Sequence, residues 1–129
     1  MIRRINVEGL SEPPGYSHAV VASGGRLVTT AGAVPLDPRG NLVGPGDCVA
    51  QAQQVLENLV LALGAAGAQG SDVAKTTVYV ASENRDALAA VWRVVQESEV
   101  AEAASTLLGV SLLGSEGQLV EIEATAVLE

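Results

Sequence analysis

Two acids stand one residue apart in an otherwise apolar run near the end of the chain, Leu119-Val120-Glu121-Ile122-Glu123-Ala124-Thr125-Ala126-Val127. Side chains alternate faces along a strand, so as a strand this run puts Glu121, Glu123 and Thr125 on one side. Val120, Ile122, Ala124 and Ala126 fall on the other. The two carboxylates then lie roughly 7 Å apart along one face. A carboxylate held in this way can exchange protons with a substrate or orient a water. The same alternation also describes a sheet with one solvated face, in which both acids only confer solubility.

Little else in the chain competes for such work. Cys48 is the only cysteine and His18 the only histidine. A lone cysteine forms no disulfide within the chain and builds no cysteine-based metal site. A metal site or a serine triad would have to use His18. No metal or cofactor is called for. Lys75 is the only lysine among 7 basic residues, against 15 acids, and the formal charge is −8. Nucleic-acid binding depends on clustered cations that neutralise phosphates. The densest basic spot is Arg3-Arg4, so nucleic acid and anionic membrane surfaces are both poor partners. The N-terminus lacks the apolar stretch of a signal peptide, and no run approaches the roughly 18 residues of a membrane span. The expectation is a cytoplasmic protein.

The 129 residues suit one domain, residues 1–129, large enough to bury a core without disulfides. Hydrophobic residues make up 48% and aromatics 2%, so the core must be built from Val, Leu, Ile and Ala. Mean hydropathy is +0.31, high enough to expect that part of the surface is hidden in an oligomer.

Strands are expected at 2–7, 17–22 and 26–34, with the second and third joined as a hairpin at Gly24-Gly25. Residues 35–47 form a proline- and glycine-rich loop. Asp47 then caps a helix whose apolar stripe is Ala52, Val55, Leu56, Leu59, Val60 and Leu63. A strand follows at 73–80. A second helix opens at Asn84 or Asp86 with the stripe Leu88, Val91, Trp92 and Val95. Strands at 106–112 and 119–127 complete the order β-β-β-α-β-α-β-β. Two helices cover only one face of a sheet of about six strands. The other face, expected to carry Val20, Leu27 and Val78, needs a cover, and a second copy of the chain is the simplest one. A ligand cleft would then fall between subunits.

Five segments, in this order and spacing, resemble the RidA (YjgF-type) family. They are Gly15-Tyr16 after the proline loop, the stretch Leu27 to Pro35, the helix segment Gln51 to Leu59, the stretch Asp72 to Val80, and Glu121 to Val127. The resemblance covers roughly Gly15 to Val127. It implies an α+β, chorismate-mutase-like fold, with a sheet backed by two helices, assembled as a homotrimer with a cleft at each subunit interface. It also implies hydrolysis of reactive enamines and imines to 2-keto acids and ammonia. In that chemistry an arginine grips the substrate carboxylate, a water attacks the imine carbon, and a glutamate serves the water and the proton. The glutamate falls on Glu121, and a cleft tyrosine falls on Tyr16.

The chain departs from the family pattern within the implied cleft. Ser105 takes the place of the arginine, Ala31 that of a serine, and Leu107 that of a cysteine. Thr106 joins Ser105 as a hydrogen-bonding candidate, although both also read as plain strand residues. An arginine–carboxylate bond of the charge-assisted kind contributes about 1.5–3 kcal/mol, so its loss weakens 2-imino acid binding by tens-fold. The cleft becomes more apolar and more acidic, which suits an uncharged or cationic metabolite. Three functions follow, in order of support: a RidA-like hydrolase or deaminase using Glu121, a trimer that binds a small metabolite without turnover, and a ribonuclease.

Overall fold

Polar caps fix where both helices begin. The Asp47 carboxylate accepts a hydrogen bond from the Ala50 amide at 3.0 Å and opens α1 (Cys48–Ala65). The Asn84 side chain accepts from the Asp86 amide at 2.8 Å and opens α2 (Arg85–Gln96). Each such cap contributes about 1 kcal/mol by satisfying an amide that the helix leaves free. The computed structural model describes residues 1–129. Its strands are β1 (Ile2–Ile5), β2 (Ala19–Ala22), β3 (Arg26–Thr29), β4 (Val73–Val80), β5 (Ala104–Gly109) and β6 (Val120–Leu128).

The six strands divide into two sheets. β1 pairs antiparallel with β2, and the main sheet runs β3-β6-β4-β5. β4 and β5 are parallel, joined by α2 as a crossover, while β6 lies antiparallel to both β3 and β4. The expected β2–β3 hairpin does not form. At Gly24-Gly25 the chain passes from one sheet to the other against the end of β6, where the Gly25 amide donates to the Leu128 carbonyl at 2.9 Å. A Cβ on Gly24 would stand 2.8 Å from that carbonyl oxygen, and φ there is +150°. Gly24 therefore serves a close backbone approach rather than a two-residue hairpin turn.

Both helices lie on one face of the main sheet, as their apolar stripes require. α1 buries Ala52, Val55, Leu56, Leu59 and Leu63, and α2 buries Val91 and Val95. Beneath them β6 alternates strictly, with Val120, Ile122, Ala124, Ala126 and Leu128 buried and the residues between them half-buried. Val78 belongs to this core and not to the open face. It pairs with Ile122, and lateral neighbours in a sheet share a side. The open face instead carries Tyr79 opposite Glu121, Thr77 opposite Glu123, and Leu27 opposite Val127. Leu27 is 69% exposed there. β5 is shorter than expected, and Leu112 lies beyond it, 76% exposed. No helix is long and apolar enough to cross a membrane.

Candidate functional site

Glu121 is half-buried on the open face of β6, and two neighbours hold its carboxylate. Gln118, in the turn before the strand, is buried and donates through Nε2 to Glu121 Oε1 at 3.0 Å and to the Val120 carbonyl at 3.1 Å. Its own Oε1 accepts from the Ser115 amide at 3.1 Å, so the amide group cannot swing away. On the other side the carboxylate lies against Gly32. A Cβ there would stand 2.2 Å from Glu121 Oε2 and 2.5 Å from its Cδ, so only glycine leaves room for this rotamer.

The turn that carries Gln118 is tied to the helix layer by Gln51, a fully buried residue of α1. Gln51 Nε2 donates to the Gly44 and Gly117 carbonyls, each at 3.1 Å, and its Oε1 accepts from the Leu119 amide at 2.7 Å. These bonds satisfy three backbone groups and one buried side chain at once. Placement of Glu121 thus runs from α1 through the turn to the strand.

Beside Glu121 the open face carries a paired polar cluster. The Tyr79 hydroxyl donates to Glu123 Oε1. That bond, together with partial burial and the negative charges of Glu123 and Glu121, raises the Tyr79 phenol above its ordinary value of 10.0. Lys75 Nζ donates to Thr106 Oγ1 at 2.8 Å, within the chain. Thr106 pairs with Thr77 and so shares the acids' side of the sheet.

Ser105 and Leu107, by the same alternation, face the opposite side. With Pro14, Tyr16 and Trp92 they line a cavity of about 230 Å³ between the edge strand β5, α2 and the N-terminal loop. The loop is fastened at several points. The Pro14 carbonyl accepts from Trp92 Nε1 at 2.9 Å and from Gln96 Nε2 at 2.8 Å, and Ser17 Oγ donates to the Glu102 carbonyl at 2.6 Å. Tyr16 meets Trp92 edge-on, with ring centres 6.0 Å apart. Ser105 Oγ accepts from the buried Thr76 hydroxyl at 2.8 Å, which leaves the serine proton free to donate.

The expected site residues therefore fall in two groups. Tyr16, Ser105 and Leu107 meet around the cavity. Glu121 and Thr106 lie on the far side of the sheet, and Ala31 is exposed next to Gly32. Sequence reasoning missed Gly32, Gln118, Gln51 and Tyr79 as site-building residues. It treated Trp92 only as part of a buried stripe, although Trp92 is half-buried and forms the cavity wall. His18 is held by backbone on both ring nitrogens. Nδ1 accepts from the Val7 amide at 2.8 Å, and Nε2 donates to the Ser11 carbonyl at 2.9 Å. This leaves its ring no free nitrogen for a substrate. Cys48 begins α1 and packs against the core. No three His, Cys, Asp or Glu side chains converge as a metal site. A larger hollow of about 380 Å³ lies between the start of α2 and the end of β5 and involves none of these groups.

The chain belongs to the family described as Endoribonuclease L-PSP, matched over residues 10–128, and it is a RidA (YjgF-type) member of that family. It is 40% identical over 65 residues to protein DfrA of Myxococcus xanthus, a match covering 50% of each chain. It is 40% identical over 60 residues to the 2-iminobutanoate/2-iminopropanoate deaminase of Escherichia coli, covering 46% of each. The chain thus spans about half the length of these curated relatives. The whole fold matches the crystal structure of YyfB from Yersinia pestis, a Rid-family protein described as being of unknown function. The TM-score is 0.92 at 40% identity, covering 98% of both chains.

Proposed function

We propose that this protein is a RidA-like hydrolase that converts a small reactive imine or enamine to a carbonyl compound and ammonia, with Glu121 positioning the attacking water. The observation that carries the reading is the restraint on Glu121. A carboxylate backed by Gly32 and tethered by Gln118 is fixed in one orientation, as a general base must be. Its presence within the stretch shared with the family supports the same reading.

In this proposal the working cleft is completed between copies of the chain. Within one copy the sheet separates Glu121 from the Tyr16–Ser105–Leu107 cavity, so no single substrate reaches both. The free edge of β5 and the open sheet face, with Leu27 exposed, offer the surfaces on which a second copy docks. A homotrimer closes such a contact by symmetry. In the reaction the water oxygen bonds to the imine carbon, the C=N π electrons pass to nitrogen, and Glu121 carries a proton from the water toward that nitrogen. The new hydroxyl then gives up its proton, which passes to nitrogen, and as the C=O bond forms the C–N bond breaks, releasing ammonia and the carbonyl compound.

The rival reading is a trimer that binds a metabolite without turnover, and Ser105 at the arginine position favours it. The family description also raises a ribonuclease, which the −8 charge and the lack of a basic cluster disfavour. The test is to generate imines in situ from amino acids with an oxidase and to follow carbonyl release. Turnover that disappears in Glu121→Gln supports hydrolysis. Absence of turnover with every imine tried supports the binding reading, and cleavage of RNA at low salt would revive the nuclease.

A further inference from the structure

The cavity at Pro14, Tyr16, Trp92, Ser105 and Leu107 has no cationic side chain in its lining. We infer that the substrate class is a carboxylate-free aliphatic imine, the product of oxidising a primary amine rather than an amino acid, with Trp92 and Ser105 as specificity-determining residues. The inference rests on the hydrolase reading for its chemistry and on the cavity alone for its selectivity.

No cationic side chain of the same copy lines the cavity. Lys75 is bonded to Thr106 on the opposite side of the sheet. Arg4 pairs with Glu102 through Nε at 3.3 Å and donates to the Ser71 carbonyl. Both His18 nitrogens are used by backbone. Arg93, next to Trp92, is exposed and does not line the cavity. A ligand carboxylate would find no cation of the same copy to pair with, and burying an unpaired charge is strongly unfavourable. The overall −8 charge adds to the exclusion.

The lining is positively suited to the alternative. Trp92 spends its only N–H on the Pro14 carbonyl, so what it offers a ligand is ring surface. Aromatic surface accepts alkyl groups and attracts cations such as a protonated imine. The free proton of Ser105 supplies one directional hydrogen bond. The 230 Å³ volume holds a ligand of roughly seven or eight non-hydrogen atoms, at about 30 Å³ for each water-sized group. Hydrolysis balances as imine plus water giving aldehyde plus ammonia, and the reaction that supplies the substrate is an amine oxidation.

Trp92 is the only tryptophan, so its fluorescence reports occupancy of this cavity directly, without need of turnover. The experiment titrates the intact protein with butylammonium, butyramide and butyrate, three probes of one chain length. The expected result is that butylammonium or butyramide binds about tenfold or more tightly than butyrate. In Ser105→Arg, butyrate should gain about tenfold or more through a charge-assisted pair. Butyrate binding as well as the others in the unmodified protein overturns the inference, and so does a Trp92 signal unmoved by all three. Ser105→Arg with no gain for butyrate, its circular dichroism unchanged, overturns the assignment of Ser105. Turnover is read in parallel on imines from butylamine and from 2-aminobutyrate. No turnover of either, with selective fluorescence retained, sinks the hydrolase and leaves the selectivity standing.

Discussion

The two sides of one sheet are built on opposite principles. On the open side, Glu121, Glu123, Tyr79, Lys75 and Thr106 are polar and bonded, and what matters is the orientation of a charge. On the helix side of β5, aromatic and aliphatic groups surround a small space with one free hydroxyl proton, and what matters is shape and the lack of charge. The contrast teaches how a β-sheet allocates roles. Neighbouring residues such as Ser105 and Thr106 go to opposite sides by alternation, so one strand contributes to both regions but no single copy joins them. In the proposed hydrolase the acid side acts on the bound molecule and the cavity side chooses it.

The largest expected effect falls on the acid side. Glu121→Gln should lower imine hydrolysis by about 10²–10⁴-fold, the usual worth of a positioned acid–base group, with the thermal midpoint little changed. Steady-state carbonyl release measures the first and thermal unfolding the second. An active variant would remove Glu121 from the mechanism and collapse the contrast between the two sides.

Gly32→Ala should cost nearly as much, on the order of 10²-fold, because the added Cβ at 2.2 Å from Oε2 must push the carboxylate aside. The displaced group is the end of a side chain, so stability should fall by only about 1 kcal/mol or so. A large loss of stability with activity intact would assign Gly32 to folding instead.

Gln51→Leu should destabilise the protein by about 3 kcal/mol or more. It leaves the Leu119 amide and the Gly117 carbonyl without partners, at about 1–3 kcal/mol for each buried unpaired group, while the Gly44 carbonyl keeps only the Asp47 amide. Denaturant midpoints measure this. Gln118→Leu, in the next link of the tether, should show a smaller loss of stability, about 1–2 kcal/mol, and a clear fall in turnover. If the two variants lose turnover in proportion to stability alone, the tether has no role in aiming Glu121.

The smallest effect is a pH dependence. Tyr79 is raised in the folded protein, chiefly by its hydrogen bond to Glu123. A group raised on folding contributes stability that is fully present below its unfolded value, here 10.0, and is lost as pH rises through the higher folded value. Tyrosinate absorbance should therefore include a step above 10.0 that Tyr79→Phe abolishes. Absence of any step above 10.0 that depends on Tyr79 would mean that the Glu123 bond does not persist in solution.

Much of this was legible in the residues. The acid pair on β6 falls on one side of the sheet because alternation depends only on strand geometry. The first helix begins at its expected cap, Asp47, and the second at Asn84, one of its two candidates, because each satisfies an amide within three residues of itself. The failures involve distant partners. Gly24-Gly25 reads as a hairpin turn by local rules, but β3 finds β6, a strand about a hundred residues away in sequence, as its neighbour. Val78 looks like an open-face residue until its register against Ile122 is known.

The sequence by itself determined the strand periodicity, the helix starts, the acidic balance and the presence of Glu121 in a family stretch, because each follows from residue types within a few positions of one another. Only the tertiary structure decided that Gly32 backs that glutamate, that Gln118 and Gln51 tether it to a helix, and that Trp92 walls a cavity on the reverse side. Those arrangements depend on which strands become neighbours and in what register. That choice is made by burying apolar surface across the whole chain, and no local pattern of residues encodes it.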